Sequence, residues 1–128
     1  MLQILMVDDE PDLDLLIRQR FRHEIKDGLY NIVFCRNGEE ALKQLKSTPD
    51  ISVVITDLNM PQMNGIQLLL HLRNHHPKIH NIVISAYSDE ENVSLAQKAG
   101  AKDFLIKPID FKEFENKLSK LYQESLVA

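Results

Sequence analysis

Apolar residues fall into two alternating patterns along the chain. Short continuous runs occupy Gln3 to Val7, Tyr30 to Cys35, Ile51 to Ile55, Ile82 to Ile84 and Phe104 to Ile106. Between them apolar residues recur every three or four positions, the period of a one-sided helix. Ile51, Val53, Val54 and Ile55 leave too few polar positions for a half-exposed strand, so this β-branched run is expected to be covered on both faces. Leu13, Leu16, Ile17 and Phe21 make the first helical stripe, behind Pro11 at a position where a helix tolerates proline, and that helix ends near Asp27-Gly28. Asn37-Gly38 opens a helix carrying Ala41, Leu42 and Leu45, broken by Pro49 and Asp50. Gly65 opens a third through Ile66, Leu69, Leu70 and Leu72, with Pro77 beyond its end. Asp89 to Ala99 forms a fourth with Val93, Leu95, Ala96 and Ala99, closed by Gly100, which accepts a left-handed cap. Phe111, Phe114, Leu118, Leu121 and Tyr122 line a last helix.

Five strands alternating with five helices predict an α/β fold with right-handed crossovers and a parallel sheet covered on both sides, a doubly wound (βα)5 unit. Residues 1–128 read as one domain, without internal repeat, linker or low-complexity tract. With 128 residues, 44% of them hydrophobic, the chain is long enough for one real core and short for two. A net charge of −4 and the absence of a basic run speak against direct nucleic-acid binding. No segment approaches the roughly 20 apolar residues of a membrane span, and the start lacks the features of a signal peptide. The lone Cys35 excludes an internal disulfide and leaves no thiolate cluster for zinc, which suits a reducing, cytoplasmic setting.

Parallel topology brings the carboxyl ends of the strands to one edge, where open α/β sheets place their ligands. The first, third, fourth and fifth strands would deliver Asp8 and Asp9, Asp57, Ser85, and Lys107 there. Taken on its own stretch, Asp57 reads equally well as a loop acid capping a turn, and the run Asp8-Asp9-Glu10 as acids favoured by the dipole of the first helix. Gathered together, three carboxylates would repel by roughly 4 kcal/mol per pair at about 4 Å and an effective dielectric near 20. They call for a proton or a cation. Oxygen ligands and no His or Cys at these strand ends favour Mg²⁺ over zinc.

Asp8-Asp9, Asp57 with Met60-Pro61 and Gly65 downstream, Ser85-Ala86 and Lys107-Pro108 together resemble, in order and spacing, the response regulator receiver domain of two-component signalling. The resemblance runs from Gln3 to about Tyr122. It implies a flavodoxin-like sheet of order 2-1-3-4-5 and a cis Lys107-Pro108 bond. It also implies that Asp57 accepts a phosphoryl group from a phosphohistidine on a histidine kinase or histidine phosphotransfer protein. By the same resemblance Asp9 is the direct Mg²⁺ ligand and Asp8 acts largely through water. Asp57 and the backbone carbonyl of Asn59 complete the protein's share. Lys107 and Ser85 would contact the phosphoryl oxygens, and small Ala86 leaves room for the group to enter. Phe104 would be the switch residue that rotates behind Ser85 and reshapes the face of the fourth helix, fifth strand and last helix, towards a target, an output domain or a second copy of the chain. Its alternative is an ordinary core position. Many relatives carry tyrosine there, and phenylalanine has no hydroxyl to hold an outward rotamer. Tyr87, two after the hydroxyl residue, would shield the in-line water path and lengthen the phosphorylated lifetime.

So read, the chain is a signalling receiver with intrinsic auto-phosphotransfer and autodephosphorylation, not a turnover enzyme. A Mg²⁺-dependent phosphohydrolase would want a cap, a substrate pocket and a separate general acid; a pseudo-receiver would lack part of the acid, hydroxyl and lysine set. His71 and His75 stand at i and i+4, with His76 and His80 nearby, a metal-like spacing. Without an acid or cysteine to complete a site, they read as surface imidazoles favoured near a helix C-terminus. Phosphate-cradling glycine loops are absent. The cognate kinase and the output are not encoded in these residues, and the ending at Leu126-Val127-Ala128 suits a stand-alone regulator or a receiver from a longer protein.

Overall fold

Strands β1 (Leu2–Val7), β2 (Tyr30–Cys35), β3 (Val53–Thr56), β4 (His80–Ser85) and β5 (Asp103–Ile106) form one parallel sheet of order β2-β1-β3-β4-β5 in the computed structural model. The structure describes residues 1–58, 64–86 and 90–127. Asn59, Met60, Pro61 and Tyr87, and the expected helix start at Asp89, lie outside the described residues. The sheet order is the one implied by the resemblance.

Alternation along the strands sends side chains to two apolar layers. Ile4, Met6, Val53, Ile55, Ile82 and Ile84 point to the face covered by α1 (Pro11–Arg20), α2 (Arg22–Lys26) and α6 (Phe111–Leu126). Leu5, Val7 and Val54 meet α3 (Gly38–Ser47) and α4 (Gly65–His75) on the other face, where Val83 packs with α5 (Glu90–Lys98). Each fully buried aliphatic side chain contributes about 1.5–3 kcal/mol, so this double burial accounts for the nearly unbroken apolar strands. The second face also buries Leu68, a position the helical stripe read from Ile66, Leu69, Leu70 and Leu72 had left out.

Six helices among the described residues replace the expected five, because the first is divided at Phe21. Phe21 leaves helical geometry (φ −106°, ψ 20°) while its N–H still bonds the carbonyl of Ile17. Its ring is thereby seated edge-on against Tyr30 and Phe114. Two positions of the expected stripes turn outward: Leu16 is 50% exposed and Leu95 is 46% exposed. Leu13 and Ile17, and Ala96 and Ala99, already cover the sheet beneath those helices.

Helix ends follow local chemistry. Asn64 and Gln67 form a reciprocal capping box at the start of α4, and the Asp110 carboxylate caps α6 through the N–H groups of Lys112 and Glu113. Gly100 takes φ +107° after α5, the left-handed geometry expected of it. Among the described residues no helix is long and apolar enough to cross a membrane.

Candidate functional site

The strand ladder continues past β1 and β3 into the site. The N–H of Asp8 bonds the Cys35 carbonyl and the N–H of Asp57 bonds the Val7 carbonyl, both at 3.0 Å. These bonds fix the two acids side by side at the carboxyl edge. Lys107 arrives from β5, its N–H bonded to the Ser85 carbonyl at 2.9 Å. The Lys107-Pro108 bond is cis, as the resemblance implies.

One ammonium group ties the cluster together. Lys107 Nζ donates to Asp8 Oδ2 at 2.9 Å, to Asp57 Oδ2 at 2.9 Å and to Glu10 Oε1 at 3.0 Å. Asp8 also accepts from the Glu10 N–H at 2.9 Å. Asp8 is 1% exposed and Asp57 7%, whereas Asp9 and Glu10 face solvent. Burial pushes the Asp8 carboxyl above its usual range, although the hydrogen bonds from Lys107 and Glu10 pull the other way. For Lys107 burial would lower the ammonium, but its three carboxylate partners outweigh that and hold it well above the usual lysine range.

Carboxylate oxygens of Asp8, Asp9, Glu10 and Asp57 all lie within 4.8 Å of one another. At that spacing each ionised pair repels by roughly 3 kcal/mol at an effective dielectric near 20. A single lysine does not neutralise four acids, so the site carries surplus negative charge around hard oxygen donors. That donor chemistry fits a hard divalent cation.

Gly65 is a second requirement of this geometry. Its N–H bonds the Leu58 carbonyl at 2.9 Å, and a Cβ there would stand 2.2 Å from the Asp57 carbonyl oxygen and 2.7 Å from Leu58 Cα. The α4 backbone therefore lies directly against the Asp57 loop, an approach only glycine allows. Thr56 adds a bond from its buried hydroxyl to the Asp57 carbonyl at 2.9 Å.

Asp8, Asp9, Asp57 and Lys107 are thus brought together as read from the sequence. Ser85 lies fully buried at the end of the adjacent strand, joined to Lys107 through its carbonyl. Ala86 lines an apolar hollow beside Lys107, with Leu13, Leu16, Pro108 and Phe111. Phe104 stands apart, half-buried against the layer of Leu58, Leu69, Val83, Ala96 and Ala99. The expected Asn59 ligand and the Tyr87 shield lie outside the described residues. Glu10 was missed as a site residue. Its place in the acid run suggested a helix cap, yet its side chain makes no cap bond and reaches Lys107 instead.

The response regulator receiver domain model matches residues 4–119. Among curated proteins, the chain is 32% identical over 119 residues to the transcriptional regulatory protein ZraR of Escherichia coli, covering 93% of this chain and 26% of that one. It is 30% identical over 119 residues to the chemotaxis protein CheY1 of Helicobacter pylori, covering 91% and 94%. The chain therefore spans about a quarter of the ZraR relative and nearly all of CheY1. Among solved structures, the response regulator TrrA of Thermotoga maritima, in complex with Mg(2+)-BeF, aligns with a TM-score of 0.78 at 32% identity, covering 94% of this chain and 99% of that one. A Francisella response regulator receiver domain aligns at 0.83 with 28% identity, covering 98% and 99%. With the whole acid and lysine constellation lying inside the matched residues, the chain belongs to the response regulator receiver domain family of two-component signalling.

Proposed function

We propose that residues 1–128 act as one phosphorylation-dependent switch in which Asp57 accepts a phosphoryl group from a phosphohistidine of a histidine kinase or histidine phosphotransfer protein. The observation that carries this reading is the meeting of Asp57 with Lys107 at 2.9 Å inside a cluster with surplus negative charge. An Asp57 carboxylate oxygen attacks phosphorus, the P–N bond breaks, and the donor imidazole leaves with the bonding electron pair and takes up a proton. Hydrolysis by water later returns the free carboxylate and inorganic phosphate, so the chain turns over only its own modification.

Asp9 would bind Mg²⁺ directly, Asp8 through water, and Asp57 and the Asn59 carbonyl would complete the set. Bound Mg²⁺ supplies positive charge to the oxygens of the transferring group. Lys107, already in contact with Asp57, exchanges carboxylate partners for phosphoryl oxygens as they arrive. Ser85 lies at the next strand end to donate its hydroxyl to the product, and the small side chain of Ala86 leaves the phosphoryl group room to enter.

The modification adds about −1.5 to −2 charges and three acceptor oxygens. Recruitment of Ser85 and Lys107 pulls on β4 and β5, and Phe104 rotates into the space behind Ser85. The face of α5, β5 and α6 then changes shape for a target, an output domain or a homodimer. Tyr87 would slow the attacking water. A cytoplasmic location fits the lone buried Cys35. Incubation with Mg²⁺ and a small phosphoramidate donor, read by intact mass, should add one phosphoryl group to wild type and none to Asp57→Ala. Equal labelling of the two proteins would refute the assignment.

A further inference from the structure

At the amino edge of the sheet, far along α4 from Gly65, the imidazoles of His75 and His76 each lie tilted against that of His71. The His71 and His75 ring centroids are 4.5 Å apart, and those of His71 and His76 are 5.6 Å apart. His75 is exposed and the other two are half-exposed. His75 and His76 also line the same surface hollow, beside Pro49 and Pro77. Two imidazoles on one tetrahedral metal, with metal–nitrogen bonds near 2.0–2.1 Å, have centroids about 5 Å apart. The His71–His75 separation lies close to that value, although the three histidines do not form a preassembled three-ligand cluster.

We infer that His71 and His75 form a two-imidazole chelate for a borderline divalent transition-metal ion such as Zn²⁺, with water filling the remaining positions. The i, i+4 spacing on a formed helix holds the first two rings on one face. Binding through the first raises the effective concentration of the second. Lys46 stands near His71 and opposes a cation there, a penalty that salt screens at the surface. Neutral imidazole selects a borderline ion, whereas the carboxylates at the other edge select a hard one.

Zn²⁺ titrated calorimetrically into the full chain in excess Mg²⁺ should show one site. Affinity should fall at least about tenfold in His71→Asn and in His75→Asn, and less in His76→Asn. Asp57→Asn should leave it unchanged, and NMR should place the Zn²⁺-shifted ring signals on these histidines. The variants' thermal midpoints without Zn²⁺ should match wild type, which separates lost ligation from lost folding. Absence of Zn²⁺ binding to wild type, wild-type affinity in the His71→Asn/His75→Asn double variant, or loss of binding in Asp57→Asn would overturn the site.

Discussion

The two edges of the sheet hold similar charged groups in opposite balance. At the carboxyl edge one lysine faces Asp8, Glu10 and Asp57, with Asp9 close by. At the amino edge one acid sits between two bases: Asp103 pairs with His80 at 2.6 Å and with Lys117 at 3.2 Å, joining β4, β5 and α6. The pKa directions follow the balance. Burial raises Asp8 and its partners do not offset it, whereas burial of Asp103 is outweighed by the hydrogen bonds from His80 and Lys117, which lower it. An arrangement serving stability alone would resemble the amino edge. The carboxyl edge keeps repulsive charge that a bound cation would relieve, which is how a site gives up stability for chemistry.

Cation binding should produce the largest difference between the edges. Mg²⁺ at about 100 times its Kd should raise the unfolding free energy by about 2.7 kcal/mol, as read by urea denaturation. Asp9→Asn should lose most of that gain and Asp103→Asn should retain it. Next in size is Gly65→Ala, which drives a Cβ into the Asp57 backbone and should cost about 2–3 kcal/mol. Gly28→Ala, at φ +76° but with nothing within 4 Å, should cost only about 1–2 kcal/mol, from backbone strain alone.

Removing an acid should have opposite signs at the two edges. Without Mg²⁺, Asp57→Asn should unfold at higher urea than wild type because it relieves repulsion. Asp103→Asn should unfold at lower urea, by about 1 kcal/mol. A drop in both variants would mean that Asp57 carries no net repulsion at the carboxyl edge. The finest test is pH. Asp103 has a folded pKa below its unfolded value of 3.8, so its contribution is present above pH 3.8 and lost as pH falls through the folded value. The stability gap between wild type and Asp103→Asn should therefore close in that acid range. A gap unchanged down through that range would mean the pairing contributes nothing.

Much of this molecule was legible in the residues. β-branched runs such as Ile51 to Ile55 encode double burial, and the acids and lysine were placed together because strand ends in a parallel sheet must share an edge. What stayed hidden depends on tertiary contact. The break at Phe21 follows from an aromatic cluster with Tyr30 and Phe114, which lie 9 and 93 positions away along the chain. Glu10 looked like a cap because acids at a helix start satisfy the dipole, and its bond to Lys107 depends on a partner at the far end of the sequence. The Asp103 network needed the register of β4 against β5 and the placement of α6. Leu16 and Leu95 show the complementary limit, since periodicity marks an apolar stripe but not which of its edges the sheet leaves bare.

If the charge surplus at the carboxyl edge directs phosphoryl transfer to one carboxylate, borohydride reduction of the protein after incubation with a phosphoramidate and Mg²⁺, followed by peptide mapping, will find a single reduced acid. Homoserine should appear at position 57 and nowhere else, and should not form when Mg²⁺ is chelated. Reduction at Asp8, Asp9 or Glu10, or labelling of Asp57 that ignores Mg²⁺, would contradict that assignment.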